Sequence, residues 1–209
     1  MNLNNFTTID LLRHGECEGG EIYRGHTDVA LTDSGWRQMR ESLSLVERPM
    51  PWQRIITSPL QRCQRFSNQL AEEIGIPAEV NSSFREMHFG DWDGRPIQEI
   101  WDNYPQHAEQ FMLNPAKLSP PNGENMSDFQ QRVLAGWQET IKGCDDEYIL
   151  CVQHGGTIRI ILAQVLNMPL NAIGRLHVPY AALSRIRVYH GADSRHPVLV
   201  FHNPVTANQ

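Results

Sequence analysis

The chain has 209 residues, 40% of them hydrophobic and 20% charged, with a formal net charge of -6 at pH 7. That length suits one domain with a proper buried core, and the acidic balance argues against nucleic acid or anionic membrane as a partner. No apolar run approaches the roughly 18 residues that span a bilayer. The N-terminal MNLNNFTTID lacks the basic and apolar regions of a secretory leader, and Cys17, Cys63, Cys144 and Cys151 form no C-x-x-C pair, so a cytoplasmic chain with free thiols is expected.

Taken in order, short apolar segments alternate with longer amphipathic ones. Ile9–Leu12 is predicted to be a strand and Asp33–Val46 a helix, capped by Thr32 or Asp33. Arg54–Thr57 follows as a strand, then Pro59–Ile74 as a helix with Ser58 as N-cap and Gly75 as its stop. Ser127–Lys142 is amphipathic, Tyr148–Val152 is a continuous apolar strand, and Thr157–Leu166 is helical. Leu183–Tyr189 and Pro197–Phe201 are the last strands, close enough in sequence to pair antiparallel. This alternation predicts a single α/β domain over residues 1–209: three layers, α/β/α, with a mostly parallel central sheet and an antiparallel edge strand. The segment 84–125, rich in aromatics, Pro and Gly, interrupts the alternation and is expected to be a lid insertion.

Ligands of open α/β sheets bind beyond the carboxyl ends of the parallel strands. The first strand ends in Arg13-His14-Gly15, where a residue without Cβ lets an oxyanion approach. The strand YILCVQ ends in His154-Gly155-Gly156, and the helix that follows offers free N–H groups and a favourable dipole to an anion. If the two strands are neighbours, His14 and His154 meet at one site. Arg62 lies near the start of a helix, a position unfavourable for a cation unless an anion is bound there. Glu86 sits between apolar neighbours, where a carboxyl can be held protonated and act as a general acid. Sixteen of the eighteen basic residues are arginine, a residue suited to bidentate grip on phosphate. His88, His107, His177, His190, His196 and His202 are expected to be ordinary hydrogen-bonded residues, and Arg65 a surface arginine.

The ordered set LLRHGE (11–16), RGHTDVALTDSG (24–35), SPLQR (58–62), REMHFGDWDG (85–94) and VQHGG (152–156) resembles the histidine phosphatase superfamily, with its phosphoglycerate-mutase-like fold. RHGECEGG, FREMHFGDWDG and PPNGENMSDFQQRV are more closely similar to the α-ribazole phosphatases of late cobalamin synthesis. The resemblance implies a phosphomonoesterase in which His14 takes the phosphoryl group, Arg13, Arg62 and His154 form the phosphate pocket, and Glu86 serves as acid and then base. It implies no metal and no cofactor, a small phosphate monoester as substrate, and a monomer or homodimer. Many superfamily members have threonine and asparagine where this chain has Cys17 and Gly20, so Arg24 and the backbone of Gly25 are candidates for covering the phosphate, together with the helix start at Gly155. Among the lid aromatics, Trp92 is the candidate wall for a planar leaving group, while Trp101 and Tyr104 are expected in the lid's own core. Cys17, close to the pocket, is either a thiol of lowered pKa or an unreactive loop thiol.

Three alternatives accompany this reading. A phosphoglycerate mutase needs extra lid cations, and the segment 93–125 offers only Arg95 and Lys117. A phosphatase of sugar phosphates or of phosphohistidine proteins shares the site. A non-catalytic phosphate-binding relative ranks lowest, because all five expected polar residues are present.

Overall fold

The computed structural model describes residues 5–46, 50–142, 144–191 and 194–204. Its centre is a six-stranded sheet of β1 (Phe6–Arg13), β2 (Arg54–Thr57), β3 (Ala78–Val80), β4 (Tyr148–Gln153), β5 (Leu183–His190) and β6 (Arg195–His202), in the order β3-β2-β4-β1-β5-β6. β3, β2, β4 and β1 run parallel, while β5 pairs antiparallel with β1 and β6 antiparallel with β5.

The interior positions of β1 and β4 are buried, and mostly apolar, because both faces of the sheet are covered; Thr7, Thr8 and Asp10 are the buried polar residues of β1. Ile9 and Leu11 of β1 and Ile149 and Cys151 of β4 pack with α5 (Met126–Lys142) and α6 (Gly155–Val165), through Phe129, Val133, Trp137 and Ile161. Leu12, Leu150 and Val152 face the opposite way, onto α1 (Asp33–Leu43) and α2 (Gln61–Ile74), through Met39, Leu43, Phe66 and Leu70. Full burial of each such side chain stabilises the fold by about 1.5–3 kcal/mol, so the two faces together fix the three layers.

Helix ends carry most of the differences from expectation. Thr32 caps α1 through a 3.0 Å bond from the Gly35 N–H. α2 begins at Gln61 rather than Pro59, and Ser58 is not its N-cap. The Gln61 N–H is instead satisfied by the Asp28 carboxylate at 2.8 Å, a partner from a distant loop that local sequence cannot reveal. Gly75 ends α2 in the left-handed region, φ +74°, as expected of a glycine stop. α6 starts at Gly155, two residues before its expected start, because Thr157 Oγ1 accepts from the His154 N–H at 3.1 Å and closes the first turn.

The segment 84–125 holds two short helices, α3 (Ile97–Asn103) and α4 (Pro105–Leu113), around a small separate core of Trp92, Ile100 and Ala108. Phe89, Trp101 and Phe111 pack against that core; Tyr104 does not, and is 47% exposed.

Candidate active site

Register brings the ends of β1 and β4 level, with the end of β2 one residue behind. Arg13 pairs with Gln153, so His14 and His154 follow level with each other, while Thr57 pairs with Val152, so Ser58 follows one residue earlier, level with Gln153. The His14 and His154 rings meet with centroids 5.3 Å apart. Two histidines 140 positions apart in the chain therefore share one site because β1 and β4 are hydrogen-bonded neighbours.

Each ring has a defined tautomer. His14 Nδ1 lies 2.8 Å from the Gly15 carbonyl, which can only accept, so Nδ1 carries the proton and Nε2 keeps its lone pair. Burial, reinforced by the Arg62 and Arg13 charges, pushes the His14 pKa well below the ordinary 6.5. His154 Nδ1 accepts from Arg62 Nε at 3.2 Å, leaving Nε2 to donate to Ser58 Oγ at 2.6 Å. Burial first, then Arg62 and His14, push the His154 pKa in the same direction. Both nitrogens of His154 are thus used within the protein.

Three arginines surround this pair. Arg62 is fully buried and donates to the carbonyls of Thr27 (3.0 Å) and Gly25 (2.8 Å) as well as to His154. Arg13 donates from Nη1 to the Val178 carbonyl at 2.6 Å. Arg24 donates to the carbonyls of Glu18 (3.0 Å) and Gly20 (2.7 Å) and to the Tyr180 hydroxyl (3.2 Å). The Nε groups of Arg13 and Arg24 are buried donors without a partner among the described residues. An oxyanion with several acceptors satisfies donors of this kind.

Glu86 is 7% exposed and binds the start of α6: its Oε2 accepts from the Gly156 N–H at 2.9 Å and its Oε1 from its neighbour Met87 at 3.0 Å. A Cβ on Gly156 would stand 2.3 Å from Glu86 Oε1, so the approach requires glycine there. At Gly155 the contact is looser: Arg13 Nε passes 3.3 Å from the position of a Cβ, a tight approach rather than an overlap. The loop that carries Arg24 is tied to the segment of Glu86 by His26, which donates from Nε2 to the Glu86 carbonyl at 3.1 Å. Asp93 accepts from the N–H groups of His26 (2.7 Å) and Thr27 (2.9 Å).

Several expectations change here. Gly15 does not leave room for an oxyanion; a Cβ would stand 2.2 Å from the Gly35 carbonyl, so the glycine serves close packing against α1. Gly25 acts likewise, packed on Met87 and Asp93, with its carbonyl holding Arg62. Trp92 is 1% exposed and sits among Tyr23, Phe111 and His107, so it supports the 84–125 segment and offers no wall to a ligand. Cys17 lies 3.4 Å from His14 Nδ1, but burial pushes its thiol pKa up, outweighing the nearby Arg24. Arg65 is exposed as expected. His107 bonds the Ser119 carbonyl at 2.9 Å and His202 bonds Ser184 at 2.7 Å, which is the ordinary role foreseen for them.

Sequence reading missed His26, Tyr180 and Arg159. Tyr180 lies over the pocket, its ring 5.8 Å from that of His14. Arg159, one turn into α6, bonds the Leu176 carbonyl at 2.9 Å, while its Nη1 lies 3.4 Å from the position of a Cβ on Gly155. The spacing of Arg159 from Gly155, four residues on a helix, was the one available signal. No group of three or more His, Cys, Asp or Glu that could hold a metal ion occurs among the described residues, nor does a helix long and apolar enough to cross a membrane.

The ends of the parallel neighbours β1 and β4 thus bring two neutral histidines together, ringed by arginines and faced by a carboxylate, an arrangement able to hold an oxyanion beside an imidazole lone pair. The sequence profile of the histidine phosphatase superfamily (branch 1) matches residues 9–198, and the chain belongs to that superfamily. It is 30% identical over 191 residues to the bifunctional protein Rv2228c of Mycobacterium tuberculosis, a match covering 90% of this chain and 52% of that protein. The chain therefore spans about half the length of that relative. It is 27% identical over 183 residues to the adenosylcobalamin/alpha-ribazole phosphatase of Salmonella typhimurium, covering 87% of this chain and 90% of that one. The solved structure of mycobacterial glucosyl-3-phosphoglycerate phosphatase Rv2419c shares the fold, with a TM-score of 0.83 at 23% identity over 95% of this chain and 99% of that one.

Proposed function

We propose that this chain hydrolyses a phosphate monoester through a phosphohistidine on His14, with α-ribazole 5′-phosphate, or cobalamin 5′-phosphate, as its substrate. The observation that carries the reading is the fixed tautomer of His14: Nδ1 is committed to the Gly15 carbonyl, and Nε2 is free beside arginines with unpartnered buried donors. The Nε2 lone pair attacks phosphorus and the bond to the ester oxygen breaks. Glu86 gives its proton to the departing alkoxide. The Glu86 carboxylate then takes a proton from water, the hydroxide attacks phosphorus, and the P–N bond breaks to release inorganic phosphate. Arg13, Arg24 and Arg62 spread the charge of the transferring group, which is where electrostatic stabilisation acts in phosphoryl transfer. No step calls for a metal. The segment 84–125 is read as the lid over this site.

Similarity to an adenosylcobalamin/alpha-ribazole phosphatase supports the choice of substrate. A second reading, a phosphatase or mutase for a carboxylate-bearing phosphate ester, draws on Arg159, whose terminal nitrogens have no hydrogen-bond partner among the described residues and which lies in the field of Glu86. Steady-state release of phosphate from α-ribazole 5′-phosphate, 3-phosphoglycerate and sugar phosphates separates the two. A highest kcat/KM on α-ribazole 5′-phosphate is expected; a highest value on 3-phosphoglycerate moves the assignment to the second reading.

A further inference from the structure

Tyr180 occupies the tip of a tight turn beside the nucleophile. The Ala182 N–H bonds the Pro179 carbonyl at 3.1 Å, and Ala181 adopts φ +54°. This is the pattern of a type II turn, whose second central residue takes a positive φ that suits glycine. Here an alanine bears that strain. The turn is bolted to β1 from both sides: the Ala181 N–H donates to the His14 carbonyl at 3.1 Å, and the Arg13 N–H donates to the Ala182 carbonyl at 2.9 Å. Ser42 Oγ of α1 adds a third tie, to the Ala181 carbonyl at 2.7 Å. Strain held in place by surrounding bonds is a pointer to function, and its consequence here is the position of the Tyr180 ring.

That ring touches three members of the site. The Arg13 guanidinium carbon lies over it, 4.4 Å from its centroid. The His14 ring is 5.8 Å away, and the hydroxyl accepts from Arg24 Nη1 at 3.2 Å. Despite these contacts Tyr180 keeps 36% of its surface exposed, whereas His14, Arg24, Arg62, Glu86 and His154 are buried. A guanidinium lies over the ring, yet about a third of the residue stays open to solvent at the edge of the site. In-line attack by His14 places the ester oxygen on the far side of phosphorus, so the leaving group runs outward, past this rim.

We propose that the exposed part of the Tyr180 ring is a stacking platform for a planar ring on the leaving group, so that the site prefers nucleoside-type 5′-monophosphates over the same phosphate on a bare sugar. The proposal rests on the phosphomonoesterase reading above. It transfers to Tyr180 the role that sequence gave to Trp92, which is enclosed in its own small core.

Matched substrates test it: α-ribazole 5′-phosphate and AMP against ribose 5-phosphate, which carries the 5′-phosphate on the sugar but no base. The expected result is a higher kcat/KM for the ring-bearing esters in the wild type. Tyr180→Leu should reduce that preference by roughly threefold to tenfold, the scale of one aromatic stacking contact, and Tyr180→Phe should keep it. Competitive inhibition by inorganic phosphate, measured in each variant, reports whether the phosphate pocket is intact. A wild type that does not distinguish the esters overturns the proposal. So does a Tyr180→Leu variant that binds phosphate and discriminates as before. Failure to hydrolyse all three esters and nitrophenyl phosphate removes the phosphomonoesterase reading, and this proposal with it; hydrolysis without discrimination removes the proposal alone.

Discussion

The guanidinium Nε of Arg62 lies 3.2 Å from Nδ1 of His154, and this contact sets the tautomer of a fully buried histidine. The same arginine holds the Gly25 and Thr27 carbonyls, so one side chain links α2, the 24–28 loop and the end of β4. Arg62→Ala removes positive charge from the pocket and frees His154 to change tautomer. A fall in kcat of roughly 10²–10³ is expected, the scale for loss of one electrostatic stabiliser. Arg62→Lys keeps the charge but not the forked geometry, and should recover only part of the loss. Steady-state kinetics on soluble, folded variants check both.

The Glu86 seat depends on the absence of a side chain at residue 156. Gly156→Ala places a Cβ 2.3 Å from Oε1 and must displace the carboxyl. Its effect should resemble that of Glu86→Gln: a larger loss on alkyl phosphates than on nitrophenyl phosphate, whose leaving group needs little protonation. Equal losses on the two substrates would count against leaving-group protonation by Glu86. The comparison is a ratio of kcat/KM values for each variant.

Both active-site histidines are held neutral by burial and arginine charge. With pKa values lowered in the folded state, the unfolded chain binds more protons below about pH 6.5. Stability should therefore fall as pH drops below that value, by up to about 1.4 kcal/mol per pH unit for each histidine. The slope should end only where the folded histidines themselves titrate. Urea unfolding between pH 7.5 and 5 measures it, and His14→Gln should reduce it. In kinetics, the acid limb assigned to the His14 nucleophile should lie well below pH 6.5.

Cys17 is 3% exposed, and burial raises its thiol pKa despite the nearby arginines. The thiolate is the reactive form, so Cys17 should resist iodoacetamide at pH 7 and mild peroxide should leave activity intact. Mass spectrometry of the Cys17 peptide before and after treatment reads this directly.

The positions of β1 and β4, and the candidacy of His14 and His154 at their ends, were legible because each strand carries an apolar run that stops abruptly at polar residues; the order of strands that makes the two neighbours was not. Glu86, Arg62 and Arg13 were legible because an ordered set of motifs is far more specific than any one of them. What escaped reading depends on tertiary partners. Ser58 looked like the cap of α2, but Asp28, from a loop 33 positions away, satisfies the Gln61 N–H. Trp92 looked available to a ligand, yet Tyr23, which lies earlier in the chain, helps enclose it. Tyr180 had no local signal, since its position depends on a strained alanine and on bonds to β1. Gly15 and Gly25 were recognised as special positions, but the atoms that crowd them belong to Gly35, Met87 and Asp93.

The central claim is that His14 Nε2 takes the phosphoryl group. The most direct measurement is a rapid acid-free quench of the enzyme in mid-turnover, followed by peptide mass spectrometry under alkaline conditions. The account predicts phosphate on the His14 peptide, labile to acid, absent from His14→Ala, and formed equally in the presence of EDTA. Phosphate on another residue, or turnover that persists in His14→Ala at the wild-type rate, would contradict it.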